Sequence, residues 1–332
     1  MKNVRTILVN ETTEFTFVWE QIYDTWNRIQ TLKYPDGEVV DYHYNAAGKL
    51  AKLTSKKVEI DYTLIRQTGY DKFEQRVFLQ YGNGTKTQYT YDPNRRWLNH
   101  LLVTNNTASS KIMDNNYEFD LIGNVLSIEN TAPAEVTKIG GPASHEYEYD
   151  NLYRLTHANG RYERLGVQSS YNLWMEYDDL HNIRHKEQNQ LFNNATLTDK
   201  TYVNLYTYEG TKPHAPNQAG NKKYTYDPNG NQSGWRIDNQ PDYRDVYWDE
   251  ENRIASINDK GYLSLNTYDA SGERVIKSHG GLQAVYVDGS IAGPISHKDN
   301  YLVYVSPYMV YSRDKFTKHY YVESQRITSK IG

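Results

Sequence analysis

Hydrophobic and polar positions alternate with a period of two along most of the chain, and short turn-forming runs interrupt this alternation. Residues 224–231, Tyr-Thr-Tyr-Asp-Pro-Asn-Gly-Asn, show the unit most clearly. On a strand the two tyrosines point to one face, because successive side chains alternate. The Asp and Asn side chains can bond nearby backbone groups, and glycine supplies a positive φ. The segment therefore predicts a strand that runs into a tight turn.

This strand-and-turn unit recurs along the chain. Two full copies begin at Tyr23 and Tyr70, and each includes a second turn, Pro-Asp-Gly at residues 35–37 and Gly-Asn-Gly at residues 82–84. Looser copies follow. The residues that we predict to anchor the repeats, in a structural role, are Tyr23, Asp24, Tyr42, Tyr44, Asn45, Tyr70, Asp71, Tyr89, Tyr91, Asp92, Tyr117, Asp120, Tyr147, Tyr149, Asp150, Tyr177, Asp178, Tyr224, Tyr226, Asp227, Gly230, Trp248, Asp249, Tyr268, Asp269 and Gly272.

Tandem units of this kind predict a repeat architecture. Each unit is a pair of short strands that cannot bury a face alone, so neighbouring units must pair. Helical patterning is weak, and Asn, Gly and Tyr are poor or middling helix formers. We therefore predict an all-β fold of tandem antiparallel hairpins. Several units lack the turn glycine, at Arg95, Tyr153 and His181, and there we expect a different turn geometry.

We expect one continuous domain over residues 1–332. Its predicted parts are a lead-in at residues 1–16, repeats at residues 17–278 and terminal strands at residues 279–332. Surface loops tolerate insertions, so polar insertions between repeats predict loops at one edge of the sheet. These insertions lie at residues 104–116, 129–145, 187–200 and 210–223.

Composition favours a thin wall over a filled core. The chain has 32 tyrosines but 7 phenylalanines, and its hydrophobic fraction of 38% includes every tyrosine. Aliphatic side chains are therefore scarce, whereas a tyrosine ring can pack while its hydroxyl stays hydrated or hydrogen-bonded. Disorder is disfavoured, because disordered chains lack aromatic and β-branched residues.

Charge and cysteine content exclude several classes of protein. The net charge is −4, with 37 basic and 41 acidic residues mixed along the chain, and no basic stripe suggests nucleic acid. The absence of cysteine excludes disulfides and thiolate metal sites. No segment approaches the roughly 20 apolar residues of a spanning helix. The apolar run at residues 7–9 is too short for a signal-peptide core, so we predict neither membrane insertion nor a signal peptide in this chain.

Candidate chemical sites are weak, and we predict no catalytic residue, metal or cofactor. The repeated aspartates occupy every strand-to-turn junction, which favours a structural role over catalysis. The run from Asp227 to Asp238 resembles a calcium loop but lacks its sixth-position glycine and twelfth-position glutamate. His181 and His185 share a face without an evident third ligand. Glu250 and Glu251 would face opposite sides of a strand, so they could not flank one glycosidic bond.

With the repeats laid out, the chain resembles the YD repeat of the RHS family, an aromatic-x-Tyr-Asp-x-x-Gly-Asn/Arg-Leu/Ile unit in tandem. The resemblance covers residues 17–278, and residues 286–332 resemble the segment that precedes the RHS-associated core. It implies a long β-sheet that spirals into a hollow shell. In bacterial toxin systems that shell encloses a C-terminal effector, released by aspartyl-type self-cleavage. In the related teneurins it takes part in adhesion outside cells.

The chain also departs from the family pattern. Its Asp-Pro pairs at residues 92–93 and 227–228 lie inside repeats, not in a cleavage region beyond them, and no core region follows Gly332. We therefore expect a curved antiparallel β-sheet that forms a partial β-shell.

The predicted function is a non-enzymatic wall segment of an RHS-type shell that encapsulates a C-terminal toxin or effector. The alternative is a cell-surface adhesion or carbohydrate-binding module that uses exposed Tyr and Trp rows to stack on sugars, although cross-strand packing would also explain those rows. A hydrolase site on the insertion loops is a further alternative. The expected partners are the downstream effector, other shell segments or a surface glycan, with self-association through free sheet edges. The resemblance implies a secreted or surface location in a bacterium.

Overall fold

The computed structural model describes residues 1–9, 13–105, 110–134, 141–287, 290–296, 300–313, 315–322 and 324–332. Within these ranges the chain forms strands joined by turns and bends, so the prediction of an all-β fold is confirmed. The described residues contain no helix that is long and apolar enough to cross a membrane.

The strands are numbered in chain order and are named here in three consecutive groups, for convenience only. The first group is β1 (Lys2–Leu8), β2 (Glu14–Tyr23), β3 (Ile29–Lys33), β4 (Val39–Tyr44), β5 (Leu50–Lys57), β6 (Ile60–Tyr70), β7 (Arg76–Tyr81), β8 (Lys86–Tyr91), β9 (Leu98–Thr104) and β10 (Lys111–Phe119). The second is β11 (Val125–Asn130), β12 (Ala143–Tyr149), β13 (Leu155–Arg164), β14 (Val167–Tyr177), β15 (Ile183–Phe192), β16 (Ala195–Thr196), β17 (Tyr202–Thr207), β18 (Gln218–Ala219), β19 (Lys222–Tyr226) and β20 (Gln232–Ile237). The third is β21 (Tyr243–Trp248), β22 (Ile254–Asp259), β23 (Tyr262–Tyr268), β24 (Arg274–Val287), β25 (Ser290–Ser296), β26 (Tyr301–Ser306), β27 (Met309–Ser312), β28 (Lys315–Val322) and β29 (Gln325–Ile331).

The chain forms two compact units. The continuous unit comprises residues 38–207, and the discontinuous unit comprises residues 1–37 and 208–332. In the continuous unit, strands β4 to β15 form an antiparallel meander in which each strand pairs with the next. Strand β15 then pairs with β17, and the short β16 folds back on the end of β15.

The discontinuous unit joins the two ends of the sequence. Strands β1 to β3 form one antiparallel ladder, and β18 to β24 form another that continues through β26 to β29. Aromatic rings pack between the ends, with the Phe15 and Tyr311 centroids 5.1 Å apart and those of Tyr34 and Tyr320 5.8 Å apart. We call this packing of residues 1–37 on residues 269–331 the terminal clasp.

A β-bulge precedes each aromatic–aspartate pair of the repeats. In β12 the register shifts between Glu148 and Tyr149, and equivalent shifts occur in the other repeat hairpins. The bulge leaves Tyr149 opposite Leu155, on the far side of the turn. A bulge increases local twist and re-aims a side chain. The repeat therefore has a built-in kink at the residue that carries its aromatic ring.

Full burial is confined to small clusters, as expected for a chain with few aliphatic residues. In the continuous unit Val40, Leu53 and Ile65 are each 0% exposed, and in the discontinuous unit Val303 and Tyr320 are also 0% exposed. Most other strand positions are half-exposed on both faces. Stability therefore depends strongly on contacts along the sheet, because few side chains are fully buried.

The prediction that all four insertions are loops is wrong in part. Strand β15 runs through the first part of the insertion at residues 187–200 and pairs with β14 as far as Phe192 opposite Ser169. Residues 111–116 likewise belong to β10. The neighbouring strands are long enough to satisfy the inserted backbone, so a paired strand forms where a loop was expected. Residues 106–109 and 135–140 of these insertions lie outside the described residues, and the predicted division of the domain stays a prediction.

Candidate functional site: aspartate turns and contacts between repeats

One carboxylate closes each repeat turn. In the turn that starts at Asp150, Oδ1 accepts hydrogen bonds from the backbone N–H groups of Leu152 (2.8 Å) and Arg154 (3.0 Å). Its Oδ2 accepts a hydrogen bond from Arg154 Nε at 2.7 Å. The backbone N–H of Asp150 donates to the Arg154 carbonyl, and that of Tyr153 donates to the Asp150 carbonyl. The carboxylate thus satisfies the turn's free donors and is itself fully engaged.

The same geometry recurs at the predicted anchors. In most turns the fifth residue, counted from the aspartate, donates its backbone N–H to Oδ1 and its side chain to Oδ2. These turns start at Asp24, Asp120, Asp178, Asp227 and Asp249. At Asn45, Asp71 and Asp269 the backbone donor is retained. There Asp71 accepts from Arg96 of the next turn, and Asp269 accepts from Arg5 of the terminal clasp.

The fourth residue of these turns adopts a left-handed backbone, whether or not it is glycine. Gly230 and Gly272 have φ values of 96° and 85°. Tyr153 and His181 have φ values of 63° and 65°, so the prediction of a different geometry at these two positions is wrong. The hydrogen bonds of the carboxylate hold the side-chain-bearing residue in a conformation that costs about 1–2 kcal/mol.

The turn at Asp92 is the variant. Here the closing bond runs from the Asp92 backbone N–H to the Trp97 carbonyl, one residue further along, and Arg96 takes the positive φ of 64°. The expected difference in turn geometry is therefore observed in the unit of Arg95. Proline at the second position of this turn does not alone cause the change, because Asp227 is also followed by proline and keeps the shorter turn.

Hydrogen bonding keeps the turn carboxylates ionised. The side chain and then the backbone N–H of Arg28 lower the pKa of Asp24. The backbone N–H and side chain of Arg154 do the same to the pKa of Asp150. Desolvation raises the pKa of Asp178, and the Asn182 hydrogen bonds outweigh it so that the pKa is lowered. Near neutral pH these carboxylates are ionised and accept hydrogen bonds, so they are poorly suited to act as general acids.

In six repeats of the described part of the chain, the aromatic residue before the aspartate ties its hairpin to the preceding one. Its polar hydrogen is donated to a backbone carbonyl of the earlier repeat, in most cases the carbonyl just after the preceding turn. The bonds are Tyr91 to Arg76 (2.9 Å), Tyr149 to Val125 (2.9 Å), Tyr177 to Leu155 (2.9 Å), Tyr226 to Pro216 (2.9 Å), Trp248 Nε1 to Gln232 (2.9 Å) and Tyr268 to Ile254 (3.0 Å). We call these bonds the aromatic latches. Sequence reasoning missed them, because the acceptor is a backbone atom with no residue signature.

Arginines of one turn stack on aromatic rings of the next repeat. The Arg154 guanidinium lies 4.7 Å from the Tyr177 ring centroid, and Arg253 lies 4.7 Å from that of Tyr268. Arg154 also donates to the Asp178 carbonyl at 3.0 Å. Neighbouring turns are therefore joined through cation–π contacts and hydrogen bonds in addition to the strand ladder.

The remaining aromatic anchors lie in the same strands, and their environments differ. Burial raises the pKa of Tyr147 and Tyr226, which is consistent with rings packed along the sheet. Tyr42 is 9% exposed in β4. The Tyr70 hydroxyl is buried and has no hydrogen-bond partner among the described residues. Tyr23, at the first turn, is 36% exposed.

The residues considered above for a calcium loop and for a histidine metal site do not come together in one site. Asp238 pairs with Lys223 at 2.5 Å, whereas the Asp227 carboxylate is held by Asn231. His181 lies in its turn, and His185 lies 3.5 Å from Glu187. Among the described residues, no group of three or more His, Cys, Asp or Glu side chains could hold a metal ion.

One buried carboxylate outside the repeats was not predicted. Asp114 is 4% exposed, and it contacts His100 Nε2 and Lys111 Nζ, each at 2.6 Å, and Thr131 Oγ1 at 2.8 Å. The Lys111 and His100 hydrogen bonds lower the pKa of Asp114 to about 2. It fastens the start of the insertion that follows β11, since the backbone N–H of Thr131 donates to the Asp114 carbonyl.

Comparison with known proteins agrees with the repeat geometry. Residues 23–57 match the family model described as RHS Repeat. The toxin subunit YenC2 of Yersinia entomophaga is 32% identical over 127 residues, covering 36% of this chain and 13% of that protein. The toxin subunit YenC1 of the same organism is 28% identical over 167 residues, covering 46% of this chain and 17% of that protein.

Solved structures share the fold over nearly the whole chain. A crystal structure of TcdB2-TccC3-Cdc42 matches with a TM-score of 0.61 and 15% identity, covering 96% of this chain and 18% of that chain. The Photorhabdus luminescens Tc holotoxin pore with the TccC3-D651A mutation matches with a TM-score of 0.56 and 15% identity, covering 92% and 16%. The chain spans less than a fifth of the length of each of these proteins. At this identity the likeness concerns the fold alone, and it agrees with the predicted fold class.

Proposed function

We propose that this chain, of which residues 23–57 match the RHS Repeat model, is a segment of the wall of an RHS-type shell and that the segment itself shields a C-terminal effector polypeptide. The observation that carries the proposal is the series of aromatic latches. Each latch joins a repeat to its predecessor through the backbone, so the sheet can grow repeat by repeat without a filled core behind it.

Several features of the turns support a structural role. The repeated carboxylates are saturated by local donors, and their pKa values are lowered. A general acid at neutral pH would need a raised pKa and a free oxygen directed at a substrate. The repeat aspartates offer neither, which favours a wall over an enzyme.

The aromatic rows also favour the wall over a stacking surface for sugars. Rings that present a free face to solvent would suit a sugar platform, but the latch tyrosines donate their hydroxyls across strands and several lie under arginine. Their rings are therefore engaged within the sheet. The likeness to toxin subunits supports a location outside the bacterial cell, as a further part of the proposal.

Protease protection tests encapsulation. A reporter peptide with a single protease site is fused after Gly332, and its cleavage rate is compared with that of the same peptide added separately. We expect slower cleavage in the fusion, and we expect the protection to fall in a Tyr149→Phe, Tyr177→Phe double variant that loses two latches. Equal cleavage rates for fused and separate peptide would contradict the proposal.

A further inference from the structure

One face of strands β14, β15 and β17 displays large apolar side chains that the repeat contacts do not use. Trp174 is 43% exposed, Val203 58% and Leu205 64%. Trp174 lies opposite Glu187 on β15, and Glu187 lies opposite Val203 on β17. Leu205 is on the same side as Val203, because side chains two residues apart on a strand share a face.

Three exposed carboxylates lie on the same face. The exposed fractions of their side chains are 41% for Glu187, 74% for Glu176 and 72% for Glu148. Glu176 is two residues from Trp174 on β14, and Glu148 lies opposite His157, which itself lies opposite Trp174. We call the three apolar side chains and the three glutamates the acidic apolar patch.

The patch carries a net negative charge. Strands β14, β15 and β17 contain two basic residues, Arg184 and Lys186. Lys186 alternates with His185 and Glu187 on β15, so it faces the other side of the sheet. Arg184 is the unpaired residue of the bulge beside the turn at Asp178, at the rim of the patch. One arginine at the rim therefore stands against three carboxylates.

The spacing of the apolar side chains suits a helix that lies across the strands. Trp174 and Val203 are two strand spacings apart, about 10 Å. Residues seven positions apart in an α-helix are separated by roughly 10.5 Å along its axis. The Trp174 ring is held in place by stacking on His157, with centroids 4.8 Å apart. A rigid, exposed tryptophan beside further apolar side chains is typical of a protein interaction surface.

We propose that the acidic apolar patch binds a cationic amphipathic helix of a separate protein. Apolar residues of the helix, seven positions apart, contact Trp174 at one end and Val203 with Leu205 at the other. Lysine or arginine side chains beside them pair with the glutamates, and this charge complementarity selects a basic helix over an acidic one. Anionic lipid headgroups would be repelled by the same carboxylates. The proposal does not depend on the wall function, because the helix belongs to another chain.

Titration of the intact chain with defined peptides tests the patch. The probe is a fluorescently labelled leucine–lysine peptide with leucine at the heptad core positions, and anisotropy measures its binding. One comparison peptide has glutamate in place of lysine, and another has the same composition in scrambled order. We expect saturable binding of the probe that weakens as salt is added, and at least tenfold weaker binding of both comparison peptides.

Two double variants separate the apolar contacts from the charges. Val203→Ser with Leu205→Ser, and Glu176→Gln with Glu187→Gln, should each weaken binding of the probe at least tenfold. Leu165→Ser is the control for the first, because Leu165 is 63% exposed in the hairpin of β13 and β14. The control for the second replaces two exposed glutamates of β10 and β11 and makes the same change in net charge, Glu118→Gln with Glu129→Gln.

The control variants should retain affinity within twofold, and circular dichroism melting should show that every variant is folded. The absence of saturable binding, equal binding of the lysine and glutamate peptides, or binding that survives both double variants would overturn the proposal. Equal binding of the scrambled peptide would show that the face recognises positive charge without a helix, which also overturns it. The same holds if the chain sediments with phosphatidylglycerol vesicles through the patch.

Discussion

At the scale of single residues, the hydrogen bonds that the two carboxylate oxygens accept explain why each repeat turn begins with an aspartate. In the turn at Asp249, Oδ1 accepts from the backbone of Glu251 and Arg253, and Oδ2 accepts from Arg253 Nε. The sequence predicts the turn from Asp and Gly alone. It could not predict that Tyr153 and His181 would take the glycine conformation, because the compensating bonds come from a carboxylate three residues earlier.

The first prediction concerns backbone strain at Tyr153. Replacement by glycine relieves the cost of the left-handed conformation, so Tyr153→Gly should raise the free energy of unfolding by about 1 kcal/mol. Urea denaturation followed by circular dichroism measures the change. The adjacent Leu152→Gly variant is the control and should be destabilised, since Leu152 is not among the residues with positive φ. Loss of stability in Tyr153→Gly would refute the strain argument.

The turn glycines differ in the space that is available for a side chain. Gly123 has a φ of 103°, and an added Cβ would lie 2.9 Å from the Trp97 ring. Gly37 has a φ of 84° with nothing within 4 Å of such a Cβ. Gly123→Ala should therefore lower the denaturation midpoint more than Gly37→Ala. Equal decreases in the midpoint would show that the positive φ alone, and not the contact with Trp97, determines how much the alanine destabilises the fold.

Acid should weaken the fold through the turn carboxylates. A folded-state pKa below the unfolded value means that the ionised group stabilises the fold above about pH 4, and that this contribution is lost as the pH falls through the folded pKa. Asp24, Asp150 and Asp249 have lowered pKa values, and that of Asp114 is about 2. The urea midpoint should be nearly constant from neutral pH to about pH 5 and fall steadily below about pH 4. A midpoint that stays constant to about pH 2.5 would contradict this assignment.

At the scale of elements, each sequence repeat forms one hairpin, and the aromatic latches join consecutive hairpins. The alternating pattern predicts the strands, and the Tyr-Asp spacing predicts where each hairpin turns. The latch was not predictable, because the Tyr177 hydroxyl reaches the Leu155 carbonyl, which has no side-chain signature. The Asp114 network was missed for a similar reason, since Lys111 and Thr131 lie in insertions that were expected to be loops.

Removing one latch hydroxyl should destabilise the contact between two neighbouring repeats. Tyr177→Phe leaves the Leu155 carbonyl without its donor and should cost about 1 kcal/mol. Hydrogen exchange should quicken locally in β13 and β14. Tyr70→Phe is the matched control, because the Tyr70 hydroxyl is buried with no partner in the described part of the chain. That variant should be neutral or slightly stabilised, and equal losses in both variants would argue against the latch.

At the scale of the whole molecule, the terminal clasp is the feature furthest from sequence prediction. Lys318 is 0% exposed, and its Nζ lies 2.8 Å from Asp36 Oδ2. The Tyr34 hydroxyl donates to the His319 carbonyl at 2.9 Å. These partners lie at opposite ends of the sequence, and neither end carries a pattern that indicates the other. The repeat pattern could therefore predict the fold class without predicting which ends meet.

The buried ion pair of the clasp provides a further test. Asp36→Ala removes the carboxylate from a buried lysine and should destabilise the discontinuous unit by about 3 kcal/mol. Asp61→Ala, in an exposed part of β6, is the control and should have little effect. Denaturation midpoints for the two variants measure the difference, and a negligible loss in Asp36→Ala would show that the pair contributes little to the clasp.

The central claim is that this chain is part of a wall that encloses a polypeptide. Electron cryo-microscopy of the chain, with a reporter polypeptide fused after Gly332, tests it most directly. The account predicts a continuous sheet of latched repeats with reporter density on its enclosed side. A reporter that extends freely into solvent, away from any space bounded by the sheet, would contradict encapsulation.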